Sequence, residues 1–552
     1  MTELTLKLRK VATVSSWRGI LTVQLRDRPP SLPSRVRFYK KPLVVELIPG
    51  ASGGSNRNLS ASMDLLRTNL GRSPSQTAMG STLEALPTEI LTIIAVNLDT
   101  LGQRLQLLCT CRRLYNALLP TLYRAISRSQ GNVVPLLRTI LQKPWLAQMV
   151  RELRLPTTKR SLFTADEDLG YERWTALPAA EPILRKAVEP FFIDDIYEQE
   201  KWLRDLQTGS PDALISLLVL SLPRLEKLEL ELPGYHYLSR VAHRSAGTAY
   251  RGNNSSSSCD DHREEDTARI ILPRLTSMHM YWPDESQMSV DLAFPFFQLP
   301  AIRHFSAAGF LKSVTEWEHK SQSPITHILL MYCLLEDGAK QIVQSCKNLQ
   351  SFIYLHSEAD MIEEDPDPDP MIKPLPKLFR DSLLSARQSL ETLCLDFNSD
   401  TSSGGARFTT FGSLSEFTAL KHLHITACVL LPLYCPVGSH PSPSQHLPDI
   451  LPRSLEMLHV EGVEAECLNK VVERLSSFVK SAPQHAPRLR EVRVMMVKIN
   501  ADNAACKAFG AVGAEMGVVC KFSALCACFT PSVSVQEVNA RISGRNEISD
   551  PL

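Results

Sequence analysis

Thirteen cysteines and fourteen histidines are the residues of this 552-residue chain best suited to metal or nucleophilic chemistry. A structural zinc site needs four ligands at characteristic spacing, such as two CxxC pairs or one CxxC with two histidines. The closest cysteines are Cys109 with Cys111 and Cys526 with Cys528, and neither pair belongs to such a set. Most others stand singly inside apolar segments, as Cys394 does in LETLCLDF, and read as reduced, buried thiols. No metal site and no cofactor is read from the sequence. GxGxxG, GxxxxGK[ST] and HExxH are absent, which removes the common phosphate cradles and the zinc-protease helix. The adjacent carboxylates Asp194 and Asp195 lack a setting for acid–base work. The expectation is a protein without catalytic residues of its own.

Six of the fourteen histidines fall on a repeating pattern. The motif apolar-x-x-apolar-x-apolar occurs ten times: VRELRL from Val150, LEKLEL from Leu225, LTSMHM from Leu275, IRHFSA from Ile302, ITHILL from Ile325, LQSFIY from Leu349, LETLCL from Leu390, LKHLHI from Leu420, LEMLHV from Leu455 and LREVRV from Leu489. Side chains alternate along a strand, so the fourth and sixth positions share one face and the residues between and beside them take the other. That other face selects Glu229, His279, Tyr281, His304, His327, Met331, Ile353, His422, His424, Thr426, His459 and Arg493 as candidate substrate contacts. Histidines there suit a pH-sensitive or metal-assisted grip, although alternation alone predicts polar residues at these positions.

The elements that would hold these residues follow from the spacing. From Leu275 onward the motif starts lie 23 to 41 residues apart, room for one strand and usually one helix, as in EDGAKQIVQSC and AECLNKVVERLSSFVKS. Each unit alone leaves an apolar face open, and stacking closes a continuous core, which is the logic of a solenoid.

Ahead of the repeats, LPTEILTIIAVNLDTL (residues 86–101) predicts a helix from Pro87, which fits a first turn, to about Leu98. On a helical wheel Ile90, Leu91, Ile93, Ile94, Ala95 and Leu98 cover an arc of about 200°, with Val96 isolated on the polar side, whereas a surface helix needs only ~100°. TLGQRLQLLCTCRRLYNALLP reads as a further helix with Leu105, Leu108, Cys109 and Leu114 roughly on one face, and Arg112 and Arg113 late in it, where cations suit the negative dipole end. About 45 residues bury too little surface to stand alone, so the excess apolar arc predicts a partner.

LEALPTEILTIIAVNLDTLGQRLQLLCTCRRLYNALLPTLYRAIS resembles an F-box through Leu86, Pro87, Glu89, Ile90, Ile94, Leu98, Asp99, Leu105, Leu107, Arg112, Arg113, Leu114 and Tyr115, then Pro120, Leu122 and Tyr123. The repeats that follow resemble leucine-rich repeats of divergent type, as in fungal F-box proteins, with the consensus asparagine mostly missing. The resemblance implies an α/β fold class: a small all-helical F-box followed by a leucine-rich-repeat solenoid, or horseshoe, with disordered loop insertions. It implies docking on a Skp1-like adaptor through Leu86, Pro87, Ile90, Ile94, Leu98, Leu105 and Cys109, and through that adaptor to cullin and RING subunits. The protein would be the substrate-recognition subunit of an SCF-type ubiquitin ligase, its substrate bound by His279, Tyr281, His304, His327, Met331, His422, His424, His459 and Arg493. A Skp1-bound scaffold outside ubiquitination is the alternative.

The expected domains are a basic leader (1–80), the F-box (83–127), the repeat solenoid (128–530) and a tail (531–552). The leader carries 13 Lys and Arg against 4 Asp and Glu without sustained periodicity, and is predicted disordered; an organellar address or a nucleic-acid patch are its other readings. Three polar interruptions, at residues 243–266, Glu358–Pro370 and from Asn398, lack the apolar residues that offset ordering entropy and read as loops. No apolar run reaches the ~18 residues of a membrane span, and the N-terminus lacks a signal-peptide pattern, so the expected location is cytoplasm or nucleus.

Overall fold

The structure, a computed structural model, describes residues 12–17, 20–25, 43–46, 83, 86–98, 100–127, 133–155, 180–192, 195–231, 237–244, 271–281, 290–308, 323–331, 333, 337–357, 376–398, 411–431, 446–463, 465–496 and 504–524. The chain divides into two compact units, residues 1–122 and 123–552.

In the first unit, β1 (Ala12–Trp17), β2 (Ile20–Leu25) and β3 (Leu43–Glu46) pair antiparallel in that order. The register sets Ala12 against Leu25 and Ile20 against Glu46. These stretches fall inside the leader predicted to be disordered. Their β-branched residues suit strands, and runs of four to six residues are too short to register as sustained periodicity.

Three helices follow: α1 (Thr88–Val96), α2 (Leu101–Thr110) and α3 (Arg112–Arg124). Pro87 precedes α1 as its cap residue, and its carbonyl accepts from the Ile90 and Leu91 N–H groups, both at 3.1 Å. The far end of α1 is closed by side chains. Asn97 Nδ2 donates to the Ile93 carbonyl at 2.8 Å, and the Arg104 guanidinium reaches back from α2 to the Leu98 carbonyl at 3.0 and 3.2 Å. Thr100 starts α2 with a capping box, exchanging 3.2 Å hydrogen bonds with Gln103 in both directions. The single helix read from TLGQRLQLLCTCRRLYNALLP is broken at Cys111, which is extended (φ −156°, ψ 162°). Arg112 and Arg113 therefore open α3 rather than close the preceding helix. Cys111 Sγ accepts from the Leu114 N–H at 3.4 Å, and Arg113 Nη2 donates to the Leu86 carbonyl at 3.0 Å.

The second unit is built on one open sheet of twelve parallel strands in chain order. They are β4 (Ala125–Ser127), β5 (Glu152–Leu155), β6 (Lys227–Glu231), β7 (Ser277–Tyr281), β8 (His304–Ala308), β9 (His327–Met331), β10 (Ser351–Ser357), β11 (Thr392–Asn398), β12 (His422–Thr426), β13 (Met457–Val463), β14 (Glu491–Met496) and β15 (Val519–Ala524). All ten sequence motifs become strands β5 to β14. The sheet adds β4, placed by the sequence in the helical module, and β15.

The residues at motif positions one, four and six form the core. Every first-position residue from Val150 to Leu455 is fully buried, and Leu489 is nearly so. In the ladder, Leu228, Met278, Phe305, Ile328, Phe352, Leu393, Leu423, Leu458 and Val492 stand side by side. Helices pack on this face. Phe379, from Pro376–Leu383, lies 4.5 Å from Tyr354 between ring centroids, and Leu468–His485 buries Leu468, Val471, Val472, Leu475, Phe478, Val479 and Ala482 at helical spacing.

Neighbouring repeats are tied by main chain. The carbonyl of the second motif residue accepts two N–H groups of the next repeat: Arg151 from Glu226 and Lys227 at 2.7 and 2.9 Å, and so on to Glu456 from Arg490 and Glu491 at 2.8 and 3.2 Å. The largest described insertion lies between β5 and β6, where the helices Ala180–Val188, Ile196–Thr208 and Pro211–Leu220 close over Trp202. Its ring stacks 5.1 Å from Tyr237 and its Nε1 donates to the Ala213 carbonyl at 3.1 Å. The three polar interruptions lie outside the described residues except for residues 243–244 and Asn398, and the tail from 531 lies wholly outside them.

Candidate interaction surfaces

On the helical module, α1 turns Leu91 (0% exposed) and Ala95 (1%) inward. Ile90, Ile93 and Val96 on its other side remain 40%, 46% and 56% exposed, joined by Leu105 of α2 at 37%. Pro87 and Cys109 are exposed as well, and Leu86 and Ile94 are half-buried. Leu98, expected among the docking residues, is buried instead; it packs the module, and its carbonyl is taken by Arg104. Ile93 and Val96, outside the expected docking set, are the most exposed apolar residues of α1. The signal for Ile93 was its place on the apolar arc. For Val96 it was an aliphatic side chain with no place on the inward side.

The second surface is the sheet face carrying positions three, five and seven. On β5 to β7 it is polar and self-paired: Lys227 Nζ lies 3.4 Å from Glu152 Oε1, Arg154 Nε 3.5 Å from Glu229 Oε2. His279 Nδ1 lies 2.6 Å from Ser306 Oγ across the next strand pair. From β8 to β13 the same face is covered. Ser306, Leu329, Ile353, Cys394, His424 and His459 in the fifth position, and Ala308, Met331, Leu355, Thr426 and Glu461 in the seventh, are all buried.

Five expected contacts on this face need correction. Met331, His424, His459, Ile353 and Thr426 are enclosed, so none is available to a protein substrate in this state. Alternation sets which side a residue takes, whereas cover on both sides of a parallel sheet is a tertiary property. His279, His304, His327, His422, Glu229 and Arg493 stay half-buried and accessible. The side chain of Tyr281 lies outside the described residues. The expected surface is therefore split into a polar stretch over β5 to β7 and the third-position row beyond it.

A buried polar group occupies the covered part. His424 Nε2 meets Glu461 Oε2 at 2.6 Å, and Asp396 lies beside them on β11. Burial and the charges of His424, Arg493 and His422 push His459 down to about 2, so it is neutral. Burial also holds the Cys394 thiol above its ordinary value, which makes it a poor nucleophile. Among the described residues no three His, Cys, Asp or Glu side chains are arranged to hold a metal ion. Asp195, read with Asp194 as adjacent carboxylates without a catalytic setting, caps Ile196–Thr208 by accepting from the Glu198 N–H at 3.1 Å and pairs with Arg244. These partners give it a structural place, and its pair-mate Asp194 lies outside the described residues.

Compared with known protein families, residues 124–533 match the model of the leucine-rich repeat domain. No curated protein matches the chain.

Proposed function

Because this chain belongs to the leucine-rich repeat domain family, whose repeats suggest a role in binding proteins, we propose that it is a non-catalytic adaptor that brings two proteins together. In this reading α1 to α3 are an F-box that docks on a Skp1-like adaptor and, through it, on cullin and RING subunits. The repeat array, curved as a horseshoe, holds a protein substrate for ubiquitination in cytoplasm or nucleus. The contribution to catalysis is proximity: tethering raises the effective concentration of the acceptor lysine, and other chains make the bond.

The observation that carries the reading is the exposed apolar surface of Ile90, Ile93, Val96 and Leu105 on helices whose opposite sides are already buried. Apolar residues left exposed at i, i+3 spacing on one helix, as Ile90, Ile93 and Val96 are, mark interaction sites. Pro87 and Cys109 extend the surface, with Leu86 and Ile94 at its margin.

Capture of the full-length chain on immobilised Skp1 tests it. Ile93→Asp with Leu105→Asp places charge on exposed positions, so folding measured by circular dichroism stays intact while capture falls at least tenfold. Leu91→Ala removes a fully buried side chain and costs about 2–5 kcal/mol of stability, which separates damage to the fold from damage to the surface. Undiminished capture by the folded double variant overturns the docking role. Cullin in the captured complex supports the ligase, and its absence favours a Skp1-bound scaffold.

A further inference from the structure

His304 and His327 are Cα partners in the β8–β9 ladder. Their ring centroids stand 4.7 Å apart with planes inclined by 32°, and both side chains are half-buried on the third-position row. One nitrogen of His327 is engaged, since the Thr326 hydroxyl lies 3.2 Å from the Arg303 carbonyl and 2.8 Å from His327 Nδ1. In the tautomer that places the ring proton on Nδ1, donated to this hydroxyl, Nε2 keeps a lone pair. His304 gives a ring N–H to the Thr276 carbonyl, which leaves a lone pair on its other nitrogen.

Metal-binding imidazoles are held in this way, with one N–H anchored to a carbonyl or another acceptor and the second nitrogen open. The separation fits as well. With a metal–nitrogen bond of about 2.0–2.1 Å, each ring centroid lies roughly 3.2 Å from the metal, so two imidazoles bound in cis at about 90–110° have centroids roughly 4.5–5.2 Å apart. The observed value falls inside that interval.

We propose that His304 and His327 form a two-imidazole site for a borderline divalent transition-metal ion of the zinc type. Ser277 and Ser351 flank the pair along the row, adding neutral oxygen rather than competing charge. With no third protein ligand described beside them, the remaining coordination positions are open to water or to a histidine, cysteine or carboxylate of a protein bound on the repeats. Two ligands, with the cations Lys227 and Arg303 close by, set the affinity in the micromolar range.

Isothermal titration of the full-length chain with Zn²⁺ alone, and separately with Ni²⁺ alone, tests the site. One saturable micromolar site is expected, weakened at least tenfold by His304→Gln and by His327→Gln, and unchanged by His422→Gln on the same row. Independently of any variant, Zn²⁺ is expected to slow carbethoxylation of His304 and His327 in the unmodified protein, read by mass spectrometry, and to leave His422 reacting as before. Equal affinity in the wild type and the double variant overturns the site, as does a wild-type chain that shows neither binding nor protection.

Discussion

His424 and Glu461 form an ion pair sealed within the repeat unit, Nε2 to Oε2 at 2.6 Å across neighbouring strands, with side chains only 3% and 4% exposed. Burial by itself would lower the histidine; the Glu461 charge and Cys394 outweigh it and hold the imidazole well above its ordinary value. Burial pushes Glu461 up, but His424 draws it below its usual range. Asp396 beside them is pushed up to about 9 by burial and by the Glu461 charge and hydrogen bond, so at neutral pH it is a protonated donor.

This group makes stability depend on pH with a defined sign. His424 and Asp396 bind protons more tightly folded than unfolded, so each contributes stability that is complete below its unfolded value, 6.5 and 3.8, and is lost as pH rises through the folded one. Glu461 acts oppositely, contributing above 4.5 and losing that contribution in acid. Burial holds His459, His327 and His356 below their ordinary value, and they gain stability as pH rises towards 6.5. The urea midpoint is therefore expected to fall only between about pH 7 and pH 9, and Asp396→Asn to flatten the fall. A wild-type midpoint that rises over this interval contradicts the assignment.

Glu461 reaches its partner through a glycine. Gly462 has φ +66°, where the β13–β14 register shifts between Val460 and Val463, and a side chain there would sit 3.1 Å from Thr426 Cγ2. Left-handed backbone costs a non-glycine residue about 1–2 kcal/mol. Gly462→Ala is expected to lose at least that much in denaturant unfolding, and an unchanged midpoint would show that the bulge relaxes freely.

Cys111 separates α2 from α3 and offers α3 only a sulfur, a weak acceptor, at 3.4 Å from the Leu114 N–H. Serine is among the strongest N-caps. Cys111→Ser is expected to stabilise the helical module by up to about 1 kcal/mol, with slower amide exchange over residues 112–118, whereas Cys111→Ala speeds that exchange.

The sequence disclosed the repeats because burial at positions one, four and six is local chemistry repeated ten times. β15 escaped because Gly517 occupies its first position, and β4 because three residues carry too little pattern. The break at Cys111 was hidden by apolar and basic residues that suit either one helix or two, although Thr100 and Gln103 already spelled a capping box for α2. The accessible part of the outward face was beyond reach for a different reason. His279 and His424 occupy the same motif position, and only tertiary cover distinguishes the half-buried one from the enclosed one.

One main-chain carbonyl per repeat, receiving two amides from the next, joins strands that are always neighbours in the chain. Nothing in that linkage requires a particular side chain at position two, where Arg151, Glu226, Thr276, Arg303, Thr326 and Gln350 follow one another. Such a joint is indifferent to the length of the loop that precedes it, and seventy-one residues between Leu155 and Lys227 are bridged as readily as the eighteen between Ala308 and His327. Whole modules can thus be duplicated or excised in evolution while the seams on either side reseal, which makes the number of repeats a more changeable character than the architecture.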